Sequence, residues 1–235
     1  EGGVSIGVIY LQMALFLEPG QPLALAALAH AYETMRNYQG AIETYDRIPK
    51  GSPLQNAIDI RKALNFNSLD KIESAKSLLE DVANRTPGDI GPLDALGNIL
   101  RARKRYDEAI GYYTRAIALI PKPEKQHWSY FYSRGTCYER TKQWPKAEAD
   151  LKKAMALSPE QPLVLNYLGY SWIDQGKNLK EGLALIEKAV SLKPDDGYIV
   201  DSLGWAFFRM GRFEEAVEAL ERAVQLRSND PEIND

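Results

Sequence analysis

Hydrophobic residues recur along the chain in short bursts at helical spacing, and polar breaks separate the bursts. The last two bursts are the plainest. Ile199 to Met210 and Phe213 to Leu226 each keep an apolar face, and Gly211 stands in the break between them. The pattern predicts two antiparallel helices joined by a tight turn. Gly204, Ala216 and Ala223 fall where the two backbones have to approach closely.

The same register runs back along the sequence. With Gly197 as position 1, small residues fill position 8 at Ala29, Ala63, Gly97, Gly135, Gly169 and Gly204, at successive gaps of 34, 34, 38, 34 and 35 residues. Position 20 holds Ala41, Ala75, Ala109, Ala147, Gly182 and Ala216. Pro19, Pro53, Pro87, Pro121, Pro159 and Pro194 follow second helices, with Ser228 at that place in the last pair. Proline lacks the backbone donor and clashes with the preceding turn, so it stops a helix.

A 34-residue helix-turn-helix period with these small positions resembles the tetratricopeptide repeat. The resemblance implies an all-α fold, a right-handed tetratricopeptide-repeat superhelix in which each helix pair packs only on its neighbours. Residues 1–21 read as the second helix of a truncated repeat. Six full repeats are expected at 22–55, 56–89, 90–127, 128–161, 162–196 and 197–230, and 231–235 reads as the start of a further one. The 90–127 repeat exceeds the period by four residues, which fall in Lys122 to His127. Terminal repeats normally carry a polar outer face. Neither end does so here, which predicts a piece of a longer protein. It also predicts uncovered apolar faces at Ile6, Val8, Ile9 and Phe16, and self-association through uncapped ends.

Charge narrows the partners. The net charge of −3 argues against a general nucleic-acid surface. Its distribution is uneven: residues 90–161 carry +5, against −3 for 1–89 and −5 for 162–235. An acidic partner for the middle repeats is one reading of this, and a mixed solvated face is the commoner one. The single cysteine, Cys137, rules out an intrachain disulfide. No stretch reaches the ~18 apolar residues of a membrane span. Val4–Leu17 is apolar but lacks the basic leader and cleavage site of a signal peptide.

Catalytic chemistry is hard to place. His30 and His127 are the only histidines. A dyad of His127 with Cys137 is conceivable, but Cys137 falls beside a core position and reads as a small buried apolar residue. No zinc-ligand spacing and no phosphate-cradling glycine loop occur. The expectation is a non-enzymatic chain without cofactor or metal. The run Arg101-Ala102-Arg103-Lys104-Arg105 suits phosphate or an acidic peptide. At a helix end it also complements the helix dipole, and that is the preferred reading.

What remains is a surface. In tetratricopeptide repeats the first helices line the concave side, and positions 2, 5, 9, 12 and 13 usually face it. The third and fourth full repeats place Asp94, Asn98, Arg101, Tyr132, Thr136, Glu139 and Arg140 there. The fifth and sixth place Leu163, Asn166, Tyr170, Ile173 and Asp174, then Tyr198, Asp201, Trp205, Phe208 and Arg209. Aromatic residues and Arg dominate binding energetics, and Asn both donates and accepts, which suits a peptide backbone. The candidate partner-binding residues are therefore Asn166, Tyr170, Tyr198, Asp201, Trp205 and Arg209, with Asn98, Arg101 and Arg140. Trp205 and Phe208 have a second reading, as packing surface for a following repeat. Chaperone-binding domains of this class hold a carboxylate with Lys at position 5 and Asn at position 9. Here Asn98 is present but Asp94 replaces the Lys, which argues against such a clamp.

Asn166-Tyr167-Leu168-Gly169-Tyr170-Ser171-Trp172, Asp201-Ser202-Leu203-Gly204-Trp205 and the run from His127-Trp128 to Glu139-Arg140 resemble a bacterial cell-envelope family. Similar proteobacterial proteins are exported multi-repeat adaptors, some of them outer-membrane lipoproteins that deliver cell-wall hydrolases to a carboxyl-terminal processing protease. The resemblance implies a scaffold that binds protein segments in its groove, with such a protease or its substrates as partners. It implies a periplasmic or outer-membrane-attached location, with the cytoplasm as the alternative. A helical-repeat RNA-binding protein is the other functional reading, and the acidic net charge speaks against it.

Overall fold

The computed structural model describes residues 2–228. Among them are thirteen α-helices, one 3-10 turn and no strand. The helices divide into two compact units, one ending at Leu119 and the other beginning at Ile120. The first unit holds α1 (Gly2–Leu17), α2 (Pro22–Thr34), α3 (Tyr38–Asp46), α4 (Gln55–Ser68), α5 (Ile72–Arg85), α6 (Gly91–Ala102) and α7 (Tyr106–Ala118). The second holds the 3-10 turn Lys125–His127, α8 (Trp128–Arg140), α9 (Trp144–Leu157), α10 (Pro162–Asp174), α11 (Leu179–Leu192), α12 (Gly197–Arg209) and α13 (Phe213–Ser228). From α2 onward, successive helices form hairpins, and α1 packs on α2. The segment 231–235, expected to open a further repeat, lies outside the described residues.

Each hairpin closes in one way. Arg36, Asp70, Lys104, Lys142, Gly176 and Gly211 all have left-handed backbone, with φ between 57° and 76°. The amide three residues past each first helix, beginning with Asn37 and ending with Arg212, donates to the carbonyl five residues earlier. Those carbonyls belong to Tyr32, Phe66, Leu100, Tyr138, Trp172 and Phe207, at 2.8–2.9 Å. This is the Schellman closure, which satisfies a helix-end carbonyl and reverses the chain. The turn after α10 holds one residue more, and Asn178 is also left-handed, with φ 45°.

The small positions lie where the paired helices touch. A Cβ on Gly169 would meet the Gly182 carbonyl at 2.6 Å, and one on Gly204 would meet the Leu220 side chain at 2.6 Å. At Gly97 the missing Cβ admits the Tyr113 ring. Ala29, Ala41, Ala63, Ala75, Ala109 and Ala147 are fully buried. Large apolar side chains fill the space around these contacts. In the first unit Leu15, Leu25, Leu28, Tyr45, Ile48 and Ile58 form one core. In the second, Leu151, Leu168 and Trp172 form a cluster, and Leu165, Ala189 and Ile199 form another.

Polar side chains tie one pair to the next, about one period apart. In the first unit Arg103 reaches Asp70, and Arg105 reaches both Glu73 and Glu108. Lys76 adds a 2.8 Å bond to Glu108. Arg105 and Lys76 together hold the Glu108 carboxyl well below the usual range, at about 2. The basic run at 101–105 therefore spends Arg103 and Arg105 on the preceding repeat. Two buried carboxylates are paired as well. Asp150 accepts from Nε and Nη2 of Arg134 at 2.7 and 2.8 Å, and Asp59 accepts from Arg85 at 2.5 Å and Gln55 at 2.9 Å.

The surplus of the long repeat is ordered. Glu124 and His127 cap each other around the 3-10 turn, the Glu124 amide donating to His127 Nδ1 at 2.9 Å. Cys137 is fully buried. At the start of the chain, Ile6, Ile9 and Phe16 are exposed as expected. Val8 is not: it packs with Leu11 against the α2–α3 core, because it lies on the face of α1 that α2 covers.

Two substitutions separate the two devices that make a hairpin. Ala216→Leu adds volume at a buried contact between α12 and α13 and should cost about 1–3 kcal/mol through overpacking. Lys142→Gly relieves a left-handed side-chain residue and should stabilise by about 0.5–1 kcal/mol. Thermal melts followed by circular dichroism at 222 nm check both. Melting curves that do not move in opposite directions would count against this account.

Candidate partner-binding groove

The expected groove residues of the fifth and sixth repeats all fall in the second unit, on α10 and α12, which lie side by side. Helical spacing sets their order. On α10, Asn166, Tyr170 and Asp174 follow at intervals of four residues and share one face. On α12, Tyr198, Asp201, Trp205 and Arg209 follow at intervals of three, four and four residues and likewise share a face. Asp196 caps α12 by accepting from the Tyr198 and Ile199 amides, which fixes where this face begins.

Tyr170 and Tyr198 are exposed. Arg227, from the second helix α13, lies 5.8 Å from the Tyr198 ring and donates to Asp201 at 2.8 Å. Arg209 donates to the Asp174 carbonyl at 2.8 Å and lies 5.6 Å from the Trp205 ring. Its contact with the Asp174 carboxylate is longer, 3.4 Å. Phe208 stacks on Trp205 at 5.6 Å and meets Phe213 edge-on at 5.9 Å. Beside α10, Tyr167 packs edge-on against Tyr132 of α8 at 5.8 Å and donates to Glu139 at 2.9 Å. Burial, and then the Glu139 carboxylate, push the Tyr167 phenol well above its ordinary value. Arg140 is exposed at the end of α8, 3.5 Å from Glu139.

Two polar atoms in this region are buried without a hydrogen-bond partner, Asn166 Oδ1 and Trp205 Nε1. One is an acceptor and the other a donor. Each belongs to a residue expected in the groove from its position in the repeat.

Two expected groove positions are corrected. Ile173 is fully buried, in a cluster with Leu183, Ile186 and Ala206. The reason is Gly182: a Cβ there would meet Ile173 at 2.9 Å, so the isoleucine fills space that the glycine leaves. Thr136 is buried and its hydroxyl donates to the Ser133 carbonyl at 2.8 Å within α8. Asn98 and Arg101 belong to the first unit, where both hold Tyr113. The Tyr113 hydroxyl donates to Asn98 Oδ1 at 2.8 Å and accepts from Arg101 Nε at 3.3 Å. Beside them, burial pushes the Asp94 carboxyl upward against the pull of Asn98 and Arg101. Arg227 went unanticipated. It sits 26 residues from its partner Asp201, on a second helix, and the groove positions of the repeat do not include it.

Tetratricopeptide repeat family models match residues 24–51, 90–160 and 200–230. These helix pairs are tetratricopeptide repeats. The human mitochondrial import receptor subunit TOM70 is 30% identical over 98 residues, a match that spans 41% of this chain and 13% of that receptor. Among solved structures, MamA from Desulfovibrio magneticus RS-1 superposes with a TM-score of 0.64 at 23% identity, covering 74% of this chain and 97% of that one. YrrB, described as a tetratricopeptide-repeat protein with an unusual peptide-binding site, superposes with a TM-score of 0.58 at 18% identity, covering 82% and 93%. At these identities the likeness is one of fold. No helix among the described residues is long and apolar enough to cross a membrane. A tetratricopeptide-repeat array is an interaction scaffold for proteins or peptides, and the RNA-binding alternative is not favoured.

The two asparagines should respond differently to truncation. Asn98→Ala removes the acceptor of a buried tyrosine and should cost about 1 kcal/mol or more. Asn166→Ala removes an unpaired acceptor and should leave stability unchanged or raise it by up to about 1 kcal/mol. Urea unfolding of both variants checks the contrast, and an equal loss in the two would remove the distinction.

Proposed function

We propose that the α10–α12 face is a docking groove for a segment of another protein, and that the chain works as a non-catalytic adaptor. The observation that carries the reading is the unpaired acceptor and donor, Asn166 Oδ1 and Trp205 Nε1, among exposed tyrosines on adjacent helices. A peptide backbone offers an N–H and a C=O for such a pair. Tyr170 and Tyr198 supply rigid area with polar edges, and Asp201 and Arg209 set register by charge. The peptide-binding site named for YrrB supports a peptide occupant.

The finer assignment is to the bacterial cell envelope, in the periplasm or attached to the outer membrane. The partner is a carboxyl-terminal processing protease or a substrate delivered to it. The sequence runs around Asn166–Trp172 and Asp201–Trp205 support this through their resemblance to envelope adaptors.

The test starts from a pull-down with the chain as bait in an envelope extract of the source cell. The captured protein is then titrated against Trp205→Ala and Tyr170→Ala, with Glu218→Ala on an exposed part of α13 as control. Loss of a central aromatic anchor should weaken binding by about 2 kcal/mol, roughly thirtyfold, and the control should bind as the parent does. Folding of each variant is followed by circular dichroism. Folded groove variants with parental affinity would show that the partner uses another surface.

A further inference from the structure

Two partly exposed carboxylates, Asp174 and Asp201, stand on the α10–α12 face. Asp174 is half exposed, and its 3.4 Å contact with Arg209 is weak, because the same nitrogen makes its 2.8 Å bond to the Asp174 carbonyl. Asp201 is exposed to a similar degree and takes Arg227 through one oxygen, Oδ1. Both carboxylates act on Tyr170. Its hydroxyl is pushed above the ordinary phenol value by burial first, then by Asp174 and Asp201, with Glu139 adding and Arg140 opposing. The arginines that reach this face are engaged, Arg209 with a main-chain carbonyl and the Trp205 ring, Arg227 with Asp201 and the Tyr198 ring, and Arg140 lies 3.5 Å from Glu139. Unspent capacity on this face is therefore negative and acceptor-rich, beside two exposed aromatic rings.

We infer that the docking segment is basic, and that a Lys or Arg side chain of the partner lies over Tyr170 with its charged head at Asp174 and Asp201. The inference rests on α10 and α12 being the docking face. A long cationic side chain fits on both counts. Its aliphatic stem covers the tyrosine rings while its head supplies several donors to carboxylates. Partly exposed charges of this kind set selectivity and salt dependence more than total affinity.

A random peptide library that supplies Lys/Arg and Asp/Glu equally is panned on the chain, and the recovered peptides are sequenced and titrated by Trp fluorescence and calorimetry. Enrichment in Lys or Arg is expected. Recovered peptides should bind Asp174→Asn about tenfold more weakly, bind Asp174→Lys more weakly still, and lose affinity as salt rises. Asp174→Asn should stay folded, since Arg209 keeps its bond to the main-chain carbonyl, and circular dichroism checks this. Peptides that need Trp205 but show no basic enrichment, or bind Asp174→Asn as tightly as the parent, would overturn the charge preference and leave the groove standing. Peptides indifferent to Trp205→Ala, or no recovered peptides at all, would overturn the groove and the preference together.

Discussion

The backbone contact inside each helix hairpin governs everything built on it. Two helices pack this closely only where side chains are absent or nearly so, and the Gly169–Gly182 approach is a very tight example. Small residues at this contact set how deep the pair sits. The left-handed turn residue and the closing bond to the carbonyl five residues earlier set where the second helix starts. Together they turn a sequence period into a spatial one. Ile173 shows the consequence for the surface: the hole left by Gly182 draws it into the core, and the groove loses an aliphatic position that the register assigned to it.

A hairpin closed by its own contacts needs little from the exposed face of its first helix. That face is therefore open to chemistry that costs stability. A buried unpaired donor or acceptor costs about 1–3 kcal/mol. Asn166 and Trp205 bear such costs in the hairpins of α10 and α12, where Leu165, Ile173, Ile186 and Ile199 are almost completely buried. The packed interior offsets the unpaired polar atoms, and the rigid helices hold them in fixed positions. Preorganisation of this kind lowers the ordering cost of binding an extended chain.

The hairpins were legible in the sequence because each is marked several times over, by a small pair, an aromatic and a proline in one register. The turn geometry was less so. Gly176 and Gly211 announce left-handed backbone, but Arg36, Asp70, Lys104 and Lys142 adopt it under the pull of the closing hydrogen bond, and their side chains give no sign of it. The basic run at 101–105 read as a complement to a helix dipole, yet Arg103 and Arg105 reach Asp70 and Glu73, which only the stacking of repeats brings near. Helical periodicity placed Asn166, Tyr170, Asp201 and Trp205 on two faces. It had no access to Arg227, which arrives from the opposite helix of its hairpin.

The two units use the same residue types for different ends. In the first, Glu33 lies largely covered and accepts from Asn65 at 2.7 Å and Tyr45 at 3.3 Å, with Arg61 at 3.3 Å. Asn98 and Arg101 converge on one tyrosine hydroxyl. Those first helices spend their polar groups on their own core. In α10 and α12 an asparagine oxygen and an indole nitrogen stay unpaired, and Asp174 is only weakly neutralised. Position in the repeat therefore does not by itself decide whether a polar group on a first helix is paired within the fold. An asparagine on a first helix is tied into the fold where a neighbouring tyrosine bonds it, as at Asn98, and keeps a buried, unpaired acceptor where nothing in the hairpin does, as at Asn166.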